Sequence, residues 1–134
     1  MPKAYVLNEK LSNADREAIA GLLTQNGYSP HFGFPENLPA LNPQVDIGVV
    51  CLPIDLSEQS SLQEYIQALM AAGIRVVSIW LHPADALPLG VEKFGSAAVA
   101  IDSPKVKEAL QGEAIWEGAS GEQRPQQPMT RNRC

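Results

Sequence analysis

Only two cysteines occur in the chain, Cys51 inside an apolar run and Cys134 as the last residue. Thiols so placed cannot form the disulfide framework of a small secreted fold, and a reducing compartment suits them. Histidine is equally scarce. His31 and His82 are the only two, no metal-ligand spacing surrounds either, and neither a metal nor a cofactor is expected. Positive charge is also short, with 10 Lys and Arg against 15 Asp and Glu and a formal net charge of −5. That balance excludes a nonspecific nucleic-acid binder, which needs a basic stripe. The apolar runs are strand-length, well short of the ~20 residues of a spanning helix, so no membrane partner is expected. Met1-Pro2-Lys3-Ala4-Tyr5 enters an apolar run without the layout of a signal peptide, and a cytoplasmic location is expected. GxGxxG, GxxxxGK[ST] and GxSxG are all missing, which removes the dinucleotide fingerprint, the P-loop and the serine-hydrolase elbow.

What the chain does have is a strand–helix alternation. Its 134 residues and 45% hydrophobic content suit one globular domain with one core. Ala4–Leu7 reads as a first strand. Ser12 reads as a helix N-cap with Asp15 three residues on, Ala18, Ile19, Leu22 and Leu23 recur at helical spacing, and Gly27 closes the helix. Tyr28–Phe32 follows as a second strand. Pro35, Pro39 and Pro43 then exclude a long helix from the next crossover. The run Ile47–Leu52 is apolar without alternation, as a strand buried on both faces reads. Leu62, Ile66, Leu69 and Met70 form the next helix face, closed by Gly73, and Val76–Leu81 and Ala97–Ile101 supply strands four and five. Ser103 as N-cap, Pro104 at N1 and Gly112 at C′ punctuate a last helix. Residues 1–112 therefore form the domain, and 113–134, rich in Gly, Gln, Pro and Arg, read as an irregular tail in which Trp116 can pack back on the domain.

Alternating βα units of this length pair in parallel and cross over right-handed, which predicts an α/β fold with an open parallel sheet of about five strands in the order 2-1-3-4-5 and helices on both faces. Ligands of such sheets sit outside the carboxyl ends of the strands, at the switch in strand order. That rule points to Asn8 and Glu9, to Asp55 through Ser61, to His82 and Asp85, and to Asp102. Cys51, within a buried strand, reads as an inert small hydrophobe. Ser61 and Glu64 have the spacing of a capping box, with Glu64 on the first turn of its helix. Trp80 and Trp116 read as packing anchors.

Asp46-Ile47-Gly48-Val49-Val50-Cys51-Leu52, a serine-containing loop, Ser61-x-x-Glu64-x-x-x-Ala68, and Gly73 before strand four resemble the flavodoxin-like superfamily that holds the nucleoside 2-deoxyribosyltransferases and the TIR domains. The resemblance implies cleavage or transfer at the N-glycosidic bond of a nucleoside or nucleotide, NAD-like molecules included. In that family a glutamate near the start of this helix handles the anomeric carbon. Carried over, Glu64 becomes the catalytic carboxylate, Ser60 and Ser61 the small-residue loop, and Asn8, Asp55 and His82 further substrate-binding residues. The glycine-proline run that follows strand one in the deoxyribosyltransferases is here Asn8-Glu9-Lys10. Response-regulator receiver domains share the strand order, but their phosphoacceptor aspartate falls on Cys51. That second resemblance implies a pseudo-receiver, a binding or scaffolding module. The alternative to an enzyme is a non-catalytic interaction module of the same fold (adaptor, immunity-type or pseudo-receiver) that works through a helical face or the tail, with a protein partner or as a homo-oligomer.

Overall fold

The computed structural model describes residues 2–52, 54, 59–82, 97–113 and 115–117. Its sheet is the one the alternation predicts: five parallel strands in the order β2-β1-β3-β4-β5. The strands are β1 Lys3–Val6, β2 Ser29–Phe32, β3 Ile47–Leu52, β4 Arg75–Trp80 and β5 Ala97–Ala100. Among the described residues three helices accompany them: α1 Asn13–Gln25, α2 Gln59–Ala71 and α3 Val106–Leu110. None of the described helices is long and apolar enough to cross a membrane.

Side chains alternate across the sheet, so each strand feeds two cores. On one face, Ile19 and Leu23 of α1 and Val106, Ala109 and Leu110 of α3 pack on Val6, Val49, Cys51, Ile79 and Val99. On the other, Leu62, Ile66 and Leu69 of α2 pack on Val50, Leu52, Val76, Trp80 and Ala100. β3 is buried at every residue, which explains its unalternating sequence. Gly48 lies beneath α2, where an added Cβ would stand 2.5 Å from Leu69 Cδ1, so the bare backbone lets the helix come close.

Helix punctuation follows the sequence in α1 and departs from it in α2 and α3. Ser12 caps α1, its hydroxyl accepting from Asp15 N at 3.1 Å. Gly27, Gly73 and Gly112 all adopt positive φ just beyond a helix, as expected for closing residues. α2, however, begins at Gln59, so Ser60 and Ser61 lie inside it and Glu64 falls on its second turn. The Ser61–Glu64 capping box is therefore not formed. Polar residues can occupy the first turn because the N–H groups there need no intrahelical partner. α3 starts two residues later than Ser103-Pro104 suggests. The Ser103 hydroxyl accepts from Lys105 N at 3.1 Å and donates to Glu117 Oε2 at 3.0 Å.

The crossover from β2 to β3 contains a single 3₁₀ turn, Leu38–Ala40, as its prolines require. Asp46 fastens it: Oδ1 accepts from Lys3 N and Oδ2 from Asn42 N, each at 2.8 Å.

Pairing continues past residue 112. Ala98 N donates to Ile115 O and Glu117 N to Ala98 O, a parallel bridge that lays residues 115–117 along the outer edge of β5. Trp116 is buried against the α2-face core, and Trp80 Nε1 donates to Glu117 O at 2.9 Å. The Glu117 carboxylate also accepts from Ala100 N. Both tryptophans are thus packing anchors. Trp116→Ala should lower the unfolding free energy by about 3 kcal/mol, as large-to-small core changes do, read from the midpoint shift in urea at constant slope.

Candidate functional site

The switch in strand order lies between β1 and β3, and there Asn8 takes over from the backbone. One step earlier, Leu7 N still donates to Val49 O in the ordinary ladder. Beyond it the Asn8 side chain spans the gap: Cys51 N donates to its Oδ1 at 2.6 Å, and its Nδ2 donates to Cys51 O at 2.9 Å. Asn8 is 2% exposed, with both ends of its amide engaged on one residue of the neighbouring strand. Its place in the structure is that of a clamp between the two strands at the floor of the switch point.

Beyond the clamp the carboxyl ends of β1, β3 and β4 part around a crevice of about 250 Å³. Lys10, Leu11 and Asp15 form one wall, and Cys51, Ile54, Leu81 and His82 are among the residues facing them. This is where an open parallel sheet holds its ligands. Across the mouth His82 Nε2 lies 3.0 Å and 3.1 Å from the two carboxylate oxygens of Asp15. An ionised carboxylate only accepts, so in that state Nε2 carries the proton and donates to it. His82 is 59% exposed and Asp15 21%, so the imidazole projects into solvent while the carboxylate is partly shielded. The pair joins the start of α1 to the exit of β4.

Cys51 lines the crevice floor yet is 1% exposed, and its thiol is pushed up to about 12, first by burial and then by the nearby Asp15 carboxylate. A thiol so hard to ionise is a packing group, as its place in β3 suggests.

The expected site residues are distributed unevenly. His82 is on the crevice, and Asn8 is beneath it. Ser60 and Ser61 are exposed on the first turn of α2. Glu64 is exposed on the second turn. It follows the core residue Leu62 by two positions, or about 200° around the helix, and so faces away from the sheet. It does not line the switch-point crevice. Asp55 and Asp85 lie outside the described residues. Asp15 is the participant that sequence reasoning missed as a site residue. Its position three residues after an N-cap explains it locally, and nothing in the chain marks its contact with His82, 67 residues away. Among the described residues no group of His, Cys, Asp and Glu could hold a metal ion. No family model, curated protein or solved structure matches the chain.

Proposed function

We propose that the switch-point crevice takes a nucleoside- or nucleotide-class molecule, NAD-like ones included, and that the protein cleaves or transfers at its N-glycosidic bond. The observation that carries the reading is the Asp15–His82 pair on the wall of that crevice. Departure of a purine or pyrimidine needs a proton on the leaving base, whereas the pyridinium of an NAD-like molecule takes the bonding pair and leaves neutral; both need negative charge near the ribosyl cation that forms. As an imidazolium, His82 holds Asp15 through Nε2 and offers Nδ1–H to the departing base. The Asp15 carboxylate fixes the ring and lends its charge to the developing cation. Water or a second acceptor then attacks the anomeric carbon. The resemblance gives the carboxylate role to Glu64. In this reading Asp15 supplies it, because Glu64 is turned away from the sheet.

The test is incubation with NAD and a panel of nucleosides, following release of the free base by chromatography. His82→Ala should lower turnover about 100-fold or more, the usual contribution of a positioned general acid. Asp15→Asn should lower it nearly as far, and Glu64→Gln should leave it close to wild type. Turnover that survives His82→Ala unchanged would sink the assignment. An inert panel at high enzyme concentration would replace the enzyme reading with the protein-interaction module.

A further inference from the structure

A second concavity lies on the opposite side of β1, and its origin is topological. The β2–β3 crossover contains only a 3₁₀ turn in place of a helix, so the sheet face over β2 and β1 is bounded there by a loop. The space is about 380 Å³, within the usual range for small-molecule sites. Its lining includes Lys3, Tyr5, His31, Phe34, Glu36 and Asn37.

Three properties of this space narrow the occupant. The first is an aromatic wall. Tyr5 and His31 are register partners on neighbouring strands, and their rings stack with centroids 5.0 Å apart and planes 22° apart. Phe34 is braced against Tyr65 of α2, with centroids 4.8 Å apart. Planar faces arranged in this way favour a flat ring. The second is charge. The lining carries Lys3 and Glu36, whose formal charges cancel, alongside the amide of Asn37. That set suits a neutral ring with donors and acceptors on its edge: Glu36 accepts from an amino group, and Asn37 both donates and accepts. The third is rigidity. Asp46 ties the crossover to Lys3 at the start of β1, so the wall is fixed before a ligand arrives.

A peptide strand fits the site poorly. Ser29 N and Gly33 N donate inward to Pro2 O and Val6 O, so the intervening Pro30 turns its backbone outward at the sheet edge, where it has no N–H to offer. With a net charge of −5, a nucleic-acid strand is also disfavoured.

From these features we infer that the cavity walled by Tyr5, His31 and Phe34 is a binding site for a nucleobase, presented as the free base or the nucleoside. It is separate from the switch-point crevice and does not depend on any reaction there.

The experiment is a titration of ¹⁵N-labelled full-length protein with adenine, adenosine, AMP and benzoate, followed by amide shifts. Adenine and adenosine should move the amides of His31, Gly33, Phe34 and Asn37 at millimolar ligand or below. AMP should bind no more tightly than adenosine, because the wall carries no excess positive charge. Benzoate, a flat ring without a base edge, should bind more weakly. Shifts at Leu81 and His82 report separately on the crevice. His31→Ala, a change at a half-buried position, should weaken adenosine about tenfold through loss of stacking. Glu36→Gln should weaken adenine but not benzoate, an anion that gains from loss of the carboxylate beside Lys3. The inference is overturned if these amides stay still at millimolar base, if benzoate binds as well as adenine, or if His31→Ala leaves the affinity unchanged while its spectrum remains that of a folded protein.

Discussion

Asn8→Ala should lower the unfolding free energy by about 4 kcal/mol, although it removes only one small polar side chain. The side chain supplies both a donor and an acceptor to Cys51, in a strand buried at every residue. Once it is gone, the Cys51 N–H and C=O are left without those partners in a place water reaches poorly, and each unmet group costs roughly 1–3 kcal/mol. Asn8→Asp separates the two bonds. It keeps an acceptor for Cys51 N–H but turns a carboxylate oxygen toward the Cys51 carbonyl and buries a charge there. Its folded-state pKa should therefore be raised above the unfolded value. The variant is accordingly least impaired in acid, below the unfolded pKa, and loses stability as pH rises through the folded one. Urea titrations of both variants at several pH values check this. If Asn8 contributed to ligand contact alone, Asn8→Ala would leave the midpoint where it is.

The clamp also marks how far the sequence reaches. β3 is legible because Ile47–Leu52 has no polar residue to turn toward water, β4 because Ser78 alone interrupts Val76–Leu81, and the parallel order follows from the lengths of the crossovers. The missing crossover helix is legible from Pro35, Pro39 and Pro43. What those prolines cannot show is that the uncovered sheet face becomes a cavity floored by Tyr5 and His31, because that depends on register between strands. The same limit governs the candidate site. The strand-end rule reaches His82 and Asn8, since each directly follows an apolar run. It does not reach Asp15, whose partner is 67 residues away, nor the engagement of Ser103 by Glu117 14 residues later. The three residues 115–117 are too short a stretch to carry a strand pattern, and the burial of Trp116 depends on an open edge of β5. Glu64 shows the converse: a plausible local motif, Ser-x-x-Glu, set aside by a helix that starts two residues before Ser61.

Alkaline pH should destabilise the protein through a thiol buried in the central strand. The Cys51 thiol is raised from 9.0 to about 12, because burial disfavours the thiolate and the Asp15 carboxylate repels it. In the unfolded chain the same thiol ionises near its ordinary value. Between the two pKa values the unfolded state has therefore lost a proton that the folded state retains, and stability falls as pH rises. The contribution is fully present below about pH 9 and declines by about 1.4 kcal/mol per pH unit, up to roughly 4 kcal/mol by pH 12. Tyr28 acts in the same direction above pH 10. Burial raises its hydroxyl, partly offset by Arg75, and that hydroxyl donates to Leu110 O at 2.9 Å. Urea titrations between pH 8 and about 11 should show the decline in a Cys134→Ser background and a shallower one once Cys51→Ala is added, whatever that second change does to stability at pH 8. In the Cys134→Ser protein a thiol reagent at pH 8 should label Cys51 only as fast as the fold opens. Rapid labelling of the native state would place the thiol in the open crevice and return it to consideration as a nucleophile beside His82.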